Sequence, residues 1–258
     1  MYRRLCLMAL ATLAFAVPSH AAATTRTEFV HPLAGTSPSS GTFGAGHVFP
    51  GAAMPFGMVQ FSPDTTPAGH SDGYDYRDSH IRGFSLTHLS GAGCSLYADF
   101  PFLPTTQPLT ASPALAGSAD LAGQFEPGFS HANEIASPGL YDAKIGRGRR
   151  SAIDARLTAT TRTGLARFTF PRSPNASVLI NAGGSANSND HADVQVDPAS
   201  AEITGSASSG YFCSQRPRYR VYFAARFNRP FSSYGTWQEQ TLSPGGTAAA
   251  DDKPVSTN

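Results

Sequence analysis

Between residues 72 and 99 the chain runs DGYDYRDSHIRGFSLTHLSGAGCSLYAD. Asp72, Tyr74, Asp75, Tyr76, Asp78, His80, His88, Ser90, Tyr97 and Asp99 fall inside this stretch. His47 and Asp64 lie just upstream, in GAGHVFPGAAMPFGMVQFSPDT (44–65). Carboxylates, phenols and imidazoles at this density suit recognition of a polyhydroxylated ligand. Planar polar groups meet hydroxyls, and aromatic faces meet C–H bonds. The candidate pocket residues are His47, Asp72, Tyr74, Tyr76, His88, Ser90 and Asp99. Gly91 and Gly93 are assigned to backbone geometry, because glycine adopts conformations closed to other residues. The same residue types also have plain structural uses. Asp72, Asp75 and Asp78 suit turns, and His88 suits a satisfied position in a β core. Residue type alone leaves both uses open.

Other chemistries find less support. Asp72, Asp75 and Asp78 offer the hard oxygen ligands that calcium takes, but no loop signature orders them, and no metal ligand is assigned. His47, His80 and His88 lack the spacing of a zinc site. The chain has no Gly-rich phosphate loop, no Cys-x-x-Cys, no His-Glu-x-x-His and no Gly-x-Ser-x-Gly elbow. Thr87-His88-Leu89-Ser90 is not a triad, because nucleophile, base and acid must converge in space rather than in sequence.

These residues need a scaffold. The first residues, MYRRLCLMALATLAFAVPSHA, combine a basic end at Arg3 and Arg4, an apolar run and small residues suited to cleavage. Residues 1–22 are therefore expected to be a signal peptide, and the mature chain is expected in the periplasm or outside the cell. The apolar run is too short to span a bilayer as a helix, so no membrane association is expected after cleavage. The formal net charge is +1, and removing Arg3 and Arg4 leaves 17 basic residues against 18 acidic, or −1. Such a chain offers no basic field for a phosphate backbone, which argues against nucleic acid as a partner. Of three cysteines, Cys6 lies in the leader, leaving Cys94 and Cys213. An exported chain permits a disulfide between them, but sequence cannot bring their Cα atoms within bridging distance, so a bridge and two free thiols both stay open.

Proline and glycine interrupt every helical period, and short alternating runs take their place. In IDARLTATTRTGLARFTF (153–170), Ile153, Ala155 and Leu157 alternate, then Ala166, Phe168 and Phe170, with Gly164 placed to turn a hairpin. Tyr219, Val221, Phe223, Ala225 and Phe227 repeat the period of two. VLIN (178–181), PFGMVQF (55–61) and DFPFLP (99–104) are further candidate strands. Many short strands between turn signals predict an all-β fold, a large antiparallel β-sandwich. Residues 31–55 and 105–124 are expected to be irregular.

Six blocks in order carry a resemblance. FVHPLAGT (29–36), GHVFPGAAMPFGMVQFSPDT (46–65), GYDYRDSHIRGFSLTHLSGAGC (73–94), FSHANEIASPGLY (129–141), ARLTATTRTGLARFTFP (155–171) and YRVYFAARFNRPF (219–231) resemble the N-terminal domain of glycoside hydrolase family 92. Members are exo-acting α-mannosidases. The resemblance implies a supersandwich-like N-terminal domain packed on a C-terminal α/α barrel, inverting hydrolysis of terminal α-mannosides, and a calcium requirement. It also implies that the glutamate acid, the aspartate base and most calcium ligands come from the barrel. No catalytic residue is therefore assigned here. Residues 27–242 are expected to form the sandwich, incomplete at its C-terminal end, and 243–258 an irregular tail or linker. The implied partners are α-mannoside glycans and the barrel, in the same polypeptide or on a neighbouring gene product. One local departure stands out. Many members carry tryptophan ahead of the Gly-Tyr-x-Tyr run, where this chain has Ala68-Gly69-His70-Ser71-Asp72. The alternative to a part of a mannosidase is a standalone, non-catalytic carbohydrate-binding module.

Overall fold

Ile153, Ala155, Leu157 and Ala159 are buried while Arg156 and Thr158 between them face solvent, the alternation that a one-sided strand requires. The computed structural model describes residues 26–37, 46–65, 73–116, 120–146, 148, 152–187, 189–214 and 218–251. Residues 1–22 and Asp72 fall outside them. Among the described residues there are four antiparallel sheets, and none of them closes into a barrel. Among the described residues the only helical pieces are short 3-10 turns at Arg26–Phe29, Gly123–Phe125 and Phe212–Ser214.

The inner sheet has the order β1 (Ala52–Ala53), β2 (Gln60–Asp64), β3 (Gly83–Ser85), β4 (Phe102–Thr105) and β9 (Ser177–Ile180). Every residue of β3 and β4 is buried, so this sheet is covered on both faces. Strand pairing sorts its side chains. Pro63, Phe84, Phe102 and Ile180 are cross-strand partners on one face, while Ser62 pairs with Ser85 and Asp64 with Gly83 on the other. One face is thus aromatic and the other polar.

The second sheet is a meander of β5 (Phe129–Ser137), β6 (Leu140–Ile145), β7 (Ile153–Ala159) and β8 (Gly164–Thr169). Its rings meet the inner sheet, with Phe84 centroids 6.4 Å from Tyr141 and 5.9 Å from Phe168. The hairpin expected at 153–170 is present, but residues 160–163 make its turn, closed by Thr160 N–H to the Thr163 carbonyl at 2.8 Å. Gly164 instead opens β8, where an added Cβ would stand 2.8 Å from the Phe61 ring. Close packing, not the turn, requires that glycine.

The third sheet has the order β12 (Arg218–Arg226), β11 (Glu202–Gly210), β10 (Asp190–Asp197) and β15 (Ala248–Asp251). Phe223 joins it to the inner sheet, with centroids 4.5 Å from Phe100 and 6.3 Å from Phe102. A small ribbon, β13 (Gly235–Gln238) with β14 (Thr241–Pro244), completes the fold. The expected irregular tail is therefore corrected. Residues 248–251 lie along β10, Gln195 opposite Ala248 and Ala192 opposite Asp251. Three small alanines carry no period for sequence reading, yet their backbone covers an otherwise open sheet edge. PFGMVQF also yields less strand than expected, since only Gln60 and Phe61 of it are in β2.

Candidate functional site

The polar face of the inner sheet carries the first cluster. His88 follows β3 and is buried beside β2. Its Nδ1 lies 2.9 Å from the Gln60 carbonyl and its Nε2 3.0 Å from Asp64 Oδ1. The Asp64 carboxylate also accepts the Ser85 hydroxyl. Each ring nitrogen thus lies within hydrogen-bond distance of an oxygen. Phe49 covers one ring face at 5.2 Å. With its side chain 1% exposed, His88 has no nitrogen left for a ligand, and it ties the segment after β3 to β2.

From His88 the chain enters the bend that the glycines shape. Gly91 and Gly93 have φ of 81° and 69°, and a Cβ on either would meet nothing within 4 Å. Backbone conformation, not crowding, therefore favours glycine there. Ser90 at the bend is exposed. The Gly91 N–H donates to the His47 carbonyl at 2.6 Å, which brings His47 to this bend through its backbone. Cys94 and Cys213 are joined by a disulfide, with Cα atoms 5.2 Å apart. The bend is thus stapled to the turn between β11 and β12.

Asp99 lies one segment further on and is fully buried. Its Oδ2 accepts the Thr87 hydroxyl at 2.9 Å and the Tyr219 hydroxyl at 2.7 Å. Burial pushes the Asp99 carboxyl above the ordinary carboxylate range, opposed by hydroxyls of Ser209, Tyr219 and Thr87 and by nearby His88. Burial, then the Asp99 charge, pushes the Tyr219 phenol up in turn.

Tyr74 and Tyr76 belong to another cluster, centred on Glu134 of β5. The Tyr74 hydroxyl donates to Glu134 at 2.8 Å and Tyr141 at 2.7 Å, while His131 Nδ1 lies 2.6 Å from the other oxygen. Burial first and the Glu134 charge second push both phenols up. Tyr76 stacks on His131 at 3.9 Å and is partly exposed. Tyr74 is therefore held inside the fold. Sequence reading missed Glu134, although it sits in the block FSHANEIASPGLY.

No group of three or more His, Cys, Asp or Glu among the described residues is arranged to hold a metal ion. Asp75 is engaged by Arg77, whose backbone N–H and guanidinium both reach its carboxylate at 2.7–3.1 Å. Among the described residues, Asp75 and Asp78 are not part of a calcium site.

A cleft of about 320 Å³ opens beside the stapled bend. Leu89, Leu96 and Tyr97 line one side, and Gly210, Phe212, Arg218 and Tyr219 the other. None of the described residues predicted as pocket-lining borders it. Asp99 lies behind Tyr219, its nearest link to that list. Tyr219 has the alternation of a core strand, which concealed its role.

The fold is an antiparallel sandwich in which the Cys94–Cys213 bridge stands beside a cleft rimmed by aromatic residues. The chain belongs to glycosyl hydrolase family 92, whose N-terminal domain matches residues 29–256. A family 92 α-mannosidase of Bacteroides thetaiotaomicron superposes with a TM-score of 0.73 at 28% identity, covering 88% of this chain and 30% of that one. An inverting family 92 mannosidase of the same organism gives 0.68 at 27%, covering 88% and 28%. A secreted glycosidase of Arthroderma benhamiae, uncharacterised, is 31% identical over 134 residues, which is 51% of this chain and 16% of that protein. The chain thus spans under a third of the length of these relatives.

Proposed function

We propose that this chain supplies the sandwich side of an α-mannoside site in an exported family 92 mannosidase. The observation that carries the reading is the family match across residues 29–256 together with superposition on two mannosidases. In this reading residues 1–22 direct export and the sandwich runs from residue 27 through β15. A helical barrel, encoded in the same or a neighbouring reading frame, supplies the acid, the base and the calcium ligands.

The stapled bend at 89–94 is the part that faces the glycan. Ser90 offers an exposed hydroxyl, and His47, Gly91 and Gly93 fix the backbone around it. His88 and Asp99 act behind it as positioning groups. Inversion requires two carboxyl groups roughly 6.5–9.5 Å apart with a water between. Behind the cleft, Asp99 Oδ2 accepts two hydroxyls and Asp190 Oδ2 meets Arg218 at 2.7 Å, and the second oxygen of each is buried rather than open to a ligand. This supports binding without hydrolysis by these residues alone. The test is to incubate the purified chain with α-mannobiose and calcium and measure free mannose alongside calorimetric binding. Binding without mannose release is expected. Sustained mannose release by the homogeneous chain would overturn the division of labour.

A further inference from the structure

The cleft between the stapled bend and the start of β12 has walls that its surroundings hold in place. Tyr97, Ala98 and Phe100 on one side, and Tyr211 and Cys213 on the other, have φ between 48° and 61°. Left-handed backbone is unfavourable for a non-glycine residue. Such residues persist where surrounding contacts over-determine them, and they gather at ligand clamps. Those contacts are present. The Tyr97 carbonyl accepts the Ala186 N–H at 2.8 Å and the Ser185 hydroxyl at 2.9 Å. The Asn187 side chain donates to the carbonyls of Gly210 and Tyr211 at 3.1 and 2.7 Å. The Cys94–Cys213 disulfide fastens one wall to the other. A preformed cleft spares a ligand the cost of ordering its receptor.

The lining defines the ligand. Tyr97 and Tyr219 meet at 60° with centroids 5.6 Å apart, presenting two ring surfaces at an angle. Phe212 stands at the lip, 42% exposed. The Arg218 guanidinium lies over the Tyr211 ring at 3.8 Å. Its Nη1 donates to Asp190 at 2.7 Å and the Ser208 carbonyl at 3.3 Å. Among the described residues its Nε and Nη2 hydrogens have no acceptor. They form a fixed fork of donors beside apolar rings. The charge behind the fork is already balanced by Asp190, and Asp99 places a second carboxyl behind Tyr219. An anion gains little here. A ring with apolar C–H faces and adjacent neutral hydroxyls gains both stacking and hydrogen bonds.

We propose that this cleft binds one neutral pyranose ring, with Tyr97, Tyr219 and Phe212 against its C–H faces and the Arg218 fork on two adjacent hydroxyls. The proposal deepens the glycan reading above, on which it rests, by naming a sugar position outside the residues predicted from sequence. The test uses the full chain, titrated by NMR with methyl α-D-mannopyranoside and separately with methyl α-D-glucopyranosiduronate, a uronate whose carboxylate is free. Phe212→Ala and Arg218→Lys are compared with Tyr222→Ala, which removes an exposed ring outside the cleft. Melting curves establish that each variant folds.

The expected result is saturable mannoside binding, weakened at least about tenfold in Phe212→Ala and Arg218→Lys and unchanged in Tyr222→Ala, with the uronate no tighter than the mannoside. Mannoside binding that persists in both cleft variants would overturn the cleft and leave the family reading standing. No binding of any pyranoside to the folded wild-type chain would overturn both. Tighter uronate binding, lost in Arg218→Lys, would overturn the neutrality of the ligand.

Discussion

Cutting the Cys94–Cys213 bridge is the perturbation with the largest expected effect on stability. The bridged residues are 119 positions apart. In the chain-entropy account, closing a loop of that length restricts the unfolded chain by an amount worth about 5 kcal/mol at 25 °C. Measured losses from small secreted domains run about 2–5 kcal/mol. A domain of marginal stability, about 5–15 kcal/mol in total, would therefore lose a substantial share. Cys94→Ala combined with Cys213→Ala removes both bridged thiols, so neither can mispair. Trp237 is the single tryptophan and lies in β13, so its fluorescence follows urea unfolding. The double variant should lose about 3–5 kcal/mol and show a steeper denaturant slope, because its unfolded state expands. A loss under about 1 kcal/mol at unchanged slope would refute the reasoning, because the bridge would then not constrain the unfolded chain.

Other perturbations have distinct signatures. Glu134→Gln replaces a carboxylate that takes two phenol hydroxyls and His131, leaves donors facing an amide, and should cost about 2–4 kcal/mol by urea melt; a neutral outcome would mean the cluster is not coupled. Asp99 titrates higher when folded than unfolded, so its contribution is present below the ordinary carboxylate value of about 4 and is lost as pH rises through the raised value. Asp99→Asn does not titrate, so melts from pH 3.5 to 8 should favour the variant progressively over wild type; a pH-independent difference would contradict the upward shift. Gly93→Ala meets open space but a φ of 69°, and should cost about 1 kcal/mol without repacking. Gly164→Ala meets the Phe61 ring, and should cost about 1–3 kcal/mol and shift the Phe61 resonances.

The parts of the fold legible in sequence are those where one face is apolar and the other wet. Ile153–Ala159 and Arg218–Arg226 alternate because each strand has a core side and a solvent side. The register rule made them visible. β11 was not legible, because EITGSASSG buries small polar residues against neighbours rather than large apolar ones. β15 was not, because its three alanines and one aspartate are placed by backbone pairing with β10. The candidate site divides the same way. The bend at 89–94 announces itself by its glycines, but the cleft joins residues 89–97 to 210–219. Only the sheet packing and the disulfide bring those segments together. His88 and Tyr74 have the residue types of ligand contacts, yet each is used up by a buried carboxylate, Asp64 and Glu134 respectively.

Hydrogen exchange of the full chain, with and without α-mannobiose, tests the central claim most directly. Slowed exchange should appear in 88–97 and 210–219, the two walls joined by the disulfide, with the β5–β8 meander unchanged. Protection confined to the meander or to the outer face of β12, or no protection at saturating sugar, would contradict the assignment of the glycan-facing wall.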